Sequence, residues 1–133
     1  MQKITTFLMF EGQAEEAMKF YTSAFKDSKI DSIVRYGAEQ KGMEGKVVHG
    51  EFTLAGQQFI AMDNASGNSF SFTPSFSLYV ECQTGSEIDA LYKKLSQGGF
   101  VMMEFKAYPF SPKYSWFTDK YGVSWQIFLA KSQ

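Results

Sequence analysis

Two amphipathic helical stripes, about 70 residues apart and each followed by a run of short strands, constrain this chain more than any other feature. The first stripe places Ala14, Ala17, Met18, Tyr21 and Phe25 on one helical face, with Glu15, Glu16 and Lys19 between them. The acidic pair falls in the first turn, where negative charge meets the positive end of the helix dipole. Adjacent helical residues diverge by about 100°, so Glu15 and Glu16 read as a solvated cap and not as an acid/base pair. The second stripe is Ile88, Leu91, Tyr92 and Leu95. Thr84 stands three residues before Glu87, a capping-box spacing, and Gly98-Gly99 ends the helix. Two helices among so many strands exclude a doubly wound parallel sheet, which needs a helix after nearly every strand.

The strands follow from alternation and breakers. Ile4 to Phe10, Ile30 to Tyr36, Val47 to Leu54 and Gln58 to Met62 are expected strands of the first half. Ala55-Gly56 is expected to form a short hairpin reversal. Asp63 to Pro74, rich in Ser, Asn and Gly, reads as the connection between halves. Ser75 to Glu81, Phe100 to Phe105, Tyr114 to Thr118 and Val123 to Leu129 are the expected strands of the second half. Lys106 to Lys113, holding Pro109 and Pro112, reads as a loop. The two halves repeat the order strand, helix, strand, strand, strand with little identity of letters. Neither has enough core alone, so the expectation is one domain over residues 1–133, with a first unit of about 1–66 and a second of about 70–133.

The final strand carries the most distinctive run, Asp119-Lys120-Tyr121-Gly122-Val123-Ser124-Trp125-Gln126. Gly122 permits a tight turn. After it Val123, Trp125, Ile127 and Leu129 share one face, and Ser124, Gln126 and Phe128 the other. This run resembles the closing strand of the vicinal oxygen chelate superfamily, the glyoxalase and bleomycin-resistance fold, in its PhnB-like branch. Phe10-Glu11-Gly12-Gln13-Ala14-Glu15-Glu16-Ala17-Met18-Lys19-Phe20-Tyr21 is similar to that branch's first strand-to-helix segment. The resemblance covers nearly the whole chain. It implies an α+β fold of two βαβββ units, whose curled antiparallel and mixed sheets enclose a cup. It also implies a homodimer, since single chains of this fold usually pair.

Composition narrows the functions. Aromatics make up 17% of the chain, with 14 Phe and 7 Tyr, which would serve an aromatic-lined cavity, an interface, or a core where Phe replaces Leu. Net charge is -1 and the 13 Lys and Arg residues form no run, so the electrostatic footprint of a nucleic-acid binder is missing. Cys82 is the one cysteine, which excludes an internal disulfide and a cysteine-rich zinc site; it reads as a buried free thiol. No apolar run is long enough to span a membrane and no basic segment precedes an apolar signal core, so cytoplasmic residence is the default. His49, the one histidine, reads as a surface or interface residue, with a general base as the alternative. No Gly-x-Gly-x-x-Gly turn, Walker loop or Gly-x-Ser-x-Gly elbow occurs. Met102-Met103 reads as core, or as a plastic ligand wall.

Metal-dependent members of the superfamily take ligands from the first and last strands of each unit. Carried over by the resemblance, those positions fall on Thr6, near Met62, on Ser75 and on Gln126. Two hydroxyls, a thioether and a carboxamide make no ordinary transition-metal site, so neither a metal nor another cofactor is expected. Strand parity puts Thr6 and Leu8 of the first half on the ligand-facing wall, with Met62 nearby. From the second half come Ser75, Ser77, Tyr79, Ser124, Gln126 and Phe128. These side chains would hold a small aromatic or polar organic molecule by stacking and a few hydrogen bonds. The leading expectation is a small-molecule-binding protein without a catalytic metal. The alternatives are an enzyme of the same superfamily with an unidentified substrate, and a structural or regulatory homodimer whose interior is packed with its own side chains.

Overall fold

The computed structural model describes residues 1–131, which divide into two compact units, Met1–Phe70 and Ser71 onward. The first unit runs β1 (Thr6–Phe10), α1 (Ala14–Ala24), β2 (Lys29–Arg35), β3 (Val47–Leu54) and β4 (Gln57–Asp63). Its four strands lie in the order β1-β4-β3-β2, with β1 parallel to β4 and the other pairs antiparallel. The second unit runs β5 (Leu78–Cys82), α2 (Gly85–Leu95), β6 (Phe100–Tyr108), β7 (Ser111–Thr118) and β8 (Ser124–Leu129). Its sheet has the matching order β5-β8-β7-β6, again with one parallel pair, β5 and β8. The architecture is the expected α+β pair of βαβββ units, and neither sheet closes on itself. Among the described residues no helix is long and apolar enough to cross a membrane.

In the first unit Ala14, Ala17, Met18 and Tyr21 of α1 are buried, as the 3.6-residue stripe requires. The Tyr21 ring lies 6.4 Å from Phe52, and Phe52 lies 5.3 Å from Phe59. A side chain at Gly50 would come within 2.7 Å of Met18, so this glycine lets the helix settle on β3. The β3–β4 reversal is Ala55-Gly56, both at positive φ, which is the backbone of a type I′ hairpin. The buried carboxylate of Asp63 closes the unit. It accepts from the backbone N–H of Gly12 (3.0 Å), Ala14 (2.9 Å) and Val47 (2.9 Å), joining the end of β4 to the start of α1 and to β3.

The second unit uses a different aspartate for a similar purpose. Asp119 accepts from the N–H groups of Tyr121 (2.8 Å) and Val123 (3.1 Å) and from the Trp125 indole (2.8 Å). Gly122, at φ 92°, completes that turn. The run Asp119 to Trp125 is therefore a built turn that fixes where β8 begins. Trp125 and Ile127 of β8, Phe117 of β7 and Cys82 of β5 are buried beneath α2, which presents Ile88, Leu91 and Leu95. Burial, with Glu87 and Glu81 nearby, pushes the Cys82 thiol up to about 11, so it stays protonated. The capping box forms with one change. Glu87 N–H donates to Thr84 Oγ1 at 3.2 Å, but the Glu87 carboxylate reaches back to the N–H of Gln83 at 2.9 Å.

Three local expectations are corrected. Lys106 to Lys113 is no loop: β6 and β7 continue to a two-residue reversal at Pro109-Phe110, with Tyr108 opposite Ser111. Pro112 is tolerated because β7 pairs with β8 only from Tyr114 onward. The strand expected from Ser75 begins at Leu78, because Thr73 to Phe76 is a turn with Pro74 at its second position. Thr6 and Leu8 stand opposite Phe59 and Ala61, on the side of the sheet that α1 covers, so Leu8 is buried in the core. The strand was located, though it begins at Thr6 and not at Ile4, and its face was reversed.

Candidate functional site

On the side of the second unit's sheet away from α2, register brings four strands' side chains together. Tyr79 of β5 stands opposite Gln126 of β8, Gln126 opposite Trp116 of β7, and Trp116 opposite Met103 of β6. With Tyr114 and Phe110 these residues line a concavity of about 430 Å³. None of the six is charged. The volume suits a small organic molecule.

Each wall is held from behind or beside. Tyr114 is 4% exposed, and its ring meets Phe110 (4.8 Å) and Tyr108 (5.4 Å) edge to face. Its hydroxyl donates to Gln126 Oε1 at 2.7 Å. Burial, reinforced by the Tyr79 and Tyr108 phenols, raises its pKa, so at neutral pH it remains a proton donor. The Trp116 indole N–H donates to Ser124 Oγ at 2.9 Å, and Ser124 Oγ shares a hydrogen bond of 2.7 Å with Ser77 Oγ. These contacts fix the indole plane. Tyr79 is 61% exposed and stacks, tilted, on Phe128 with 4.8 Å between ring centres.

The residues expected from the sequence are thus distributed as follows. Ser77, Tyr79, Ser124, Gln126 and Phe128 fall on one open face of the second unit. Ser75 lies in the exposed turn before β5, where its hydroxyl bonds that of Thr73 at 2.7 Å. Thr6 and Leu8 belong to the helix-covered side of the first unit's sheet, and Met62, opposite Met9, to its other side. His49 is exposed on β3. Sequence reasoning missed Tyr114, Trp116 and Phe110 as wall residues. The alternation Tyr114, Trp116, Thr118 was available, and the parity of β8 would have put it on the Gln126 face once β7 and β8 were paired.

A profile of the family described as 3-demethylubiquinone-9 3-methyltransferase matches residues 2–128. Among solved structures, a PhnB protein from Bacillus cereus carrying the same methyltransferase description is 56% identical, with a TM-score of 0.93 over 97% of this chain and 100% of that one. A glyoxylase/bleomycin resistance protein/dioxygenase domain from Frankia is 14% identical, with a TM-score of 0.67 over 99% of this chain and 94% of that one. The fosfomycin resistance protein FosX from Listeria monocytogenes is 12% identical, with a TM-score of 0.66 over 98% and 95%. The last two likenesses concern the fold alone. No functionally curated protein matches the chain.

Proposed function

The chain belongs to the 3-demethylubiquinone-9 3-methyltransferase family, in the PhnB-like branch of the glyoxalase/bleomycin-resistance fold, and from that premise we propose that it binds a small, uncharged aromatic molecule. The site is the concave face formed by Tyr79, Tyr114, Trp116 and Gln126. The observation that carries the proposal is the uncharged, aromatic lining of a 430 Å³ concavity around one half-buried carboxamide. Aromatic walls favour a flat apolar ligand, and a charged ligand would find no counter-ion among the six lining residues.

Chemistry without a metal is part of the same reading. Of the carried-over positions, Gln126 has its carbonyl oxygen engaged by Tyr114, and Ser75 is paired with Thr73. Asp63, the one carboxylate adjoining the Met62 position, has both oxygens committed to backbone N–H groups. Among the described residues no three His, Cys, Asp or Glu side chains are grouped as a metal site requires. The donor chemistry at these positions speaks against the superfamily's metal. The family's name supplies a second reading, an enzyme acting on a small substrate. A dinucleotide-type cofactor turn gets no support from the β1–α1 connection, since the N–H groups of Gly12 and Ala14 are taken by Asp63. A cytoplasmic homodimer accompanies the proposal. The β6 edge strand, which exposes Phe100, Val101 and Met102, supports pairing, and a monomer mass by light scattering at micromolar concentration would refute it.

The binding test uses naphthalene as probe and the two indole N–H signals in a proton–nitrogen NMR spectrum as readout. Trp116 should shift saturably on titration. Trp125, buried and held by Asp119, should stay in place and serves as the internal control. An unmoved Trp116 signal up to the probe's solubility would overturn the proposal.

A further inference from the structure

The polar half of the site is arranged asymmetrically. Gln126 could in principle offer either end of its carboxamide, one acceptor oxygen and one donor nitrogen. Tyr114 biases that choice, because a phenol donates more readily than it accepts: it donates to Oε1 at 2.7 Å, and Gln126 Nε2 is left with no protein partner among the described residues. The Trp116 N–H, the other donor on this wall, is spent on Ser124. The Tyr79 hydroxyl sits at the exposed rim, where water satisfies it either way.

We propose that the Tyr114–Gln126 pair makes this a donor site, selecting planar aromatic ligands that present an acceptor, a ring nitrogen or a carbonyl oxygen, to Gln126 Nε2. This rests on the binding reading above and deepens it from shape to hydrogen-bond polarity. An aromatic with an N–H or O–H at that position brings donor against donor, and the unmet group opposes binding. Tyr114 acts here as a positioning residue, because without its hydroxyl the carboxamide is free to turn over.

Three probes of similar size separate the terms: quinoline, with an acceptor nitrogen; indole, with a donor N–H; and naphthalene, with neither. Affinities are measured calorimetrically on the full chain at a pH where quinoline is uncharged. Quinoline should bind roughly tenfold more tightly than naphthalene, the scale of one hydrogen bond to an otherwise unmet donor. Indole should bind no more tightly than naphthalene. In Gln126→Glu one carboxylate oxygen keeps the Tyr114 bond and the other becomes an acceptor. The order should invert, with indole above quinoline. In Tyr114→Phe the carboxamide can present either end, and quinoline and indole should converge. Far-UV circular dichroism checks that each variant is folded, and the wild-type comparison stands without them. Equal binding of all three probes to the wild type would overturn donor selection while leaving aromatic binding intact. Failure of all three to bind would overturn both.

Discussion

Replacing Asp63 tests whether one buried carboxylate closes the first unit. Asp63 is 1% exposed and accepts three backbone hydrogen bonds, two of them buried, from Ala14 and Val47, and one part-buried, from Gly12. Hydrogen bonds to a charged acceptor contribute about 1.5–3 kcal/mol each. Water can replace the acceptor at Gly12 but not readily at the two buried donors, so Asp63→Ala should cost roughly 3–6 kcal/mol. Domains of this size have about 5–15 kcal/mol in total, so that loss brings the protein close to unfolding at room temperature. Asp63→Asn is the measurable companion. Its oxygen can keep the Gly12 and Ala14 bonds, but its NH₂ then faces the Val47 N–H, so about 1.5–3 kcal/mol should be lost. The assay is guanidinium unfolding followed by far-UV circular dichroism, comparing midpoints at constant slope. An Asp63→Ala protein within about 1 kcal/mol of wild type would refute the reasoning. So would an Asn variant as unstable as the Ala one.

Gly99→Ala should destabilise by at least about 1–3 kcal/mol, because its new methyl would stand 2.0 Å from the Thr118 carbonyl oxygen. Thermal unfolding reads this, and an unchanged midpoint would mean that β6 shifts freely. The bidentate Arg35 bond, ahead of Lys19, lowers the Glu15 pKa from 4.5 to about 2. A lowered folded pKa gives stability that is present above pH 4.5 and lost as pH falls toward 2. The wild-type advantage over Arg35→Gln should shrink across that window, and a gap independent of pH in thermal melts would contradict it. Elemental analysis of protein purified without chelator should find no stoichiometric zinc, nickel or manganese. One equivalent that is lost on Gln126→Ala would favour the enzyme reading.

Features with a short period were legible in the sequence. The helical stripes, the Ala55-Gly56 reversal and the Thr84 cap each depend on residues within a turn or two of one another, and each appears where expected, except that Phe25 of the first stripe lies just past the end of α1 in extended backbone. Features set by return of the chain were not. Counting back from Phe20 and Tyr21 located Thr6 along β1, but its face depends on which side α1 folds over, and that is fixed by the Gly12 turn and by Asp63, far along the chain. Prolines misled for a related reason. Pro109 and Pro112 break a strand only if a ladder bond is needed there, and Pro109 instead occupies the reversal. Of the six lining residues, Tyr79 and Gln126 were read onto one face because β5 and β8 alternate cleanly. The Tyr114–Gln126 bond was not found, because it is a diagonal contact between strands whose register no local pattern reveals.

The place of β8 bears on how the chain acquires its site during synthesis. β8 is the latest of the described strands to leave the ribosome, yet it lies between β5 and β7. Until it arrives, β5 and β7 each present an unpaired edge. The residues that must meet, such as Ser77 and Ser124, are 47 positions apart. A nascent chain stopped before Ser124 carries the aromatic wall of Tyr114 and Trp116 without the strand that aligns it. Any ligand capable of holding that wall together thus has nothing to bind until translation has passed Gln126, and the exposed edges before that moment are where a chaperone would act.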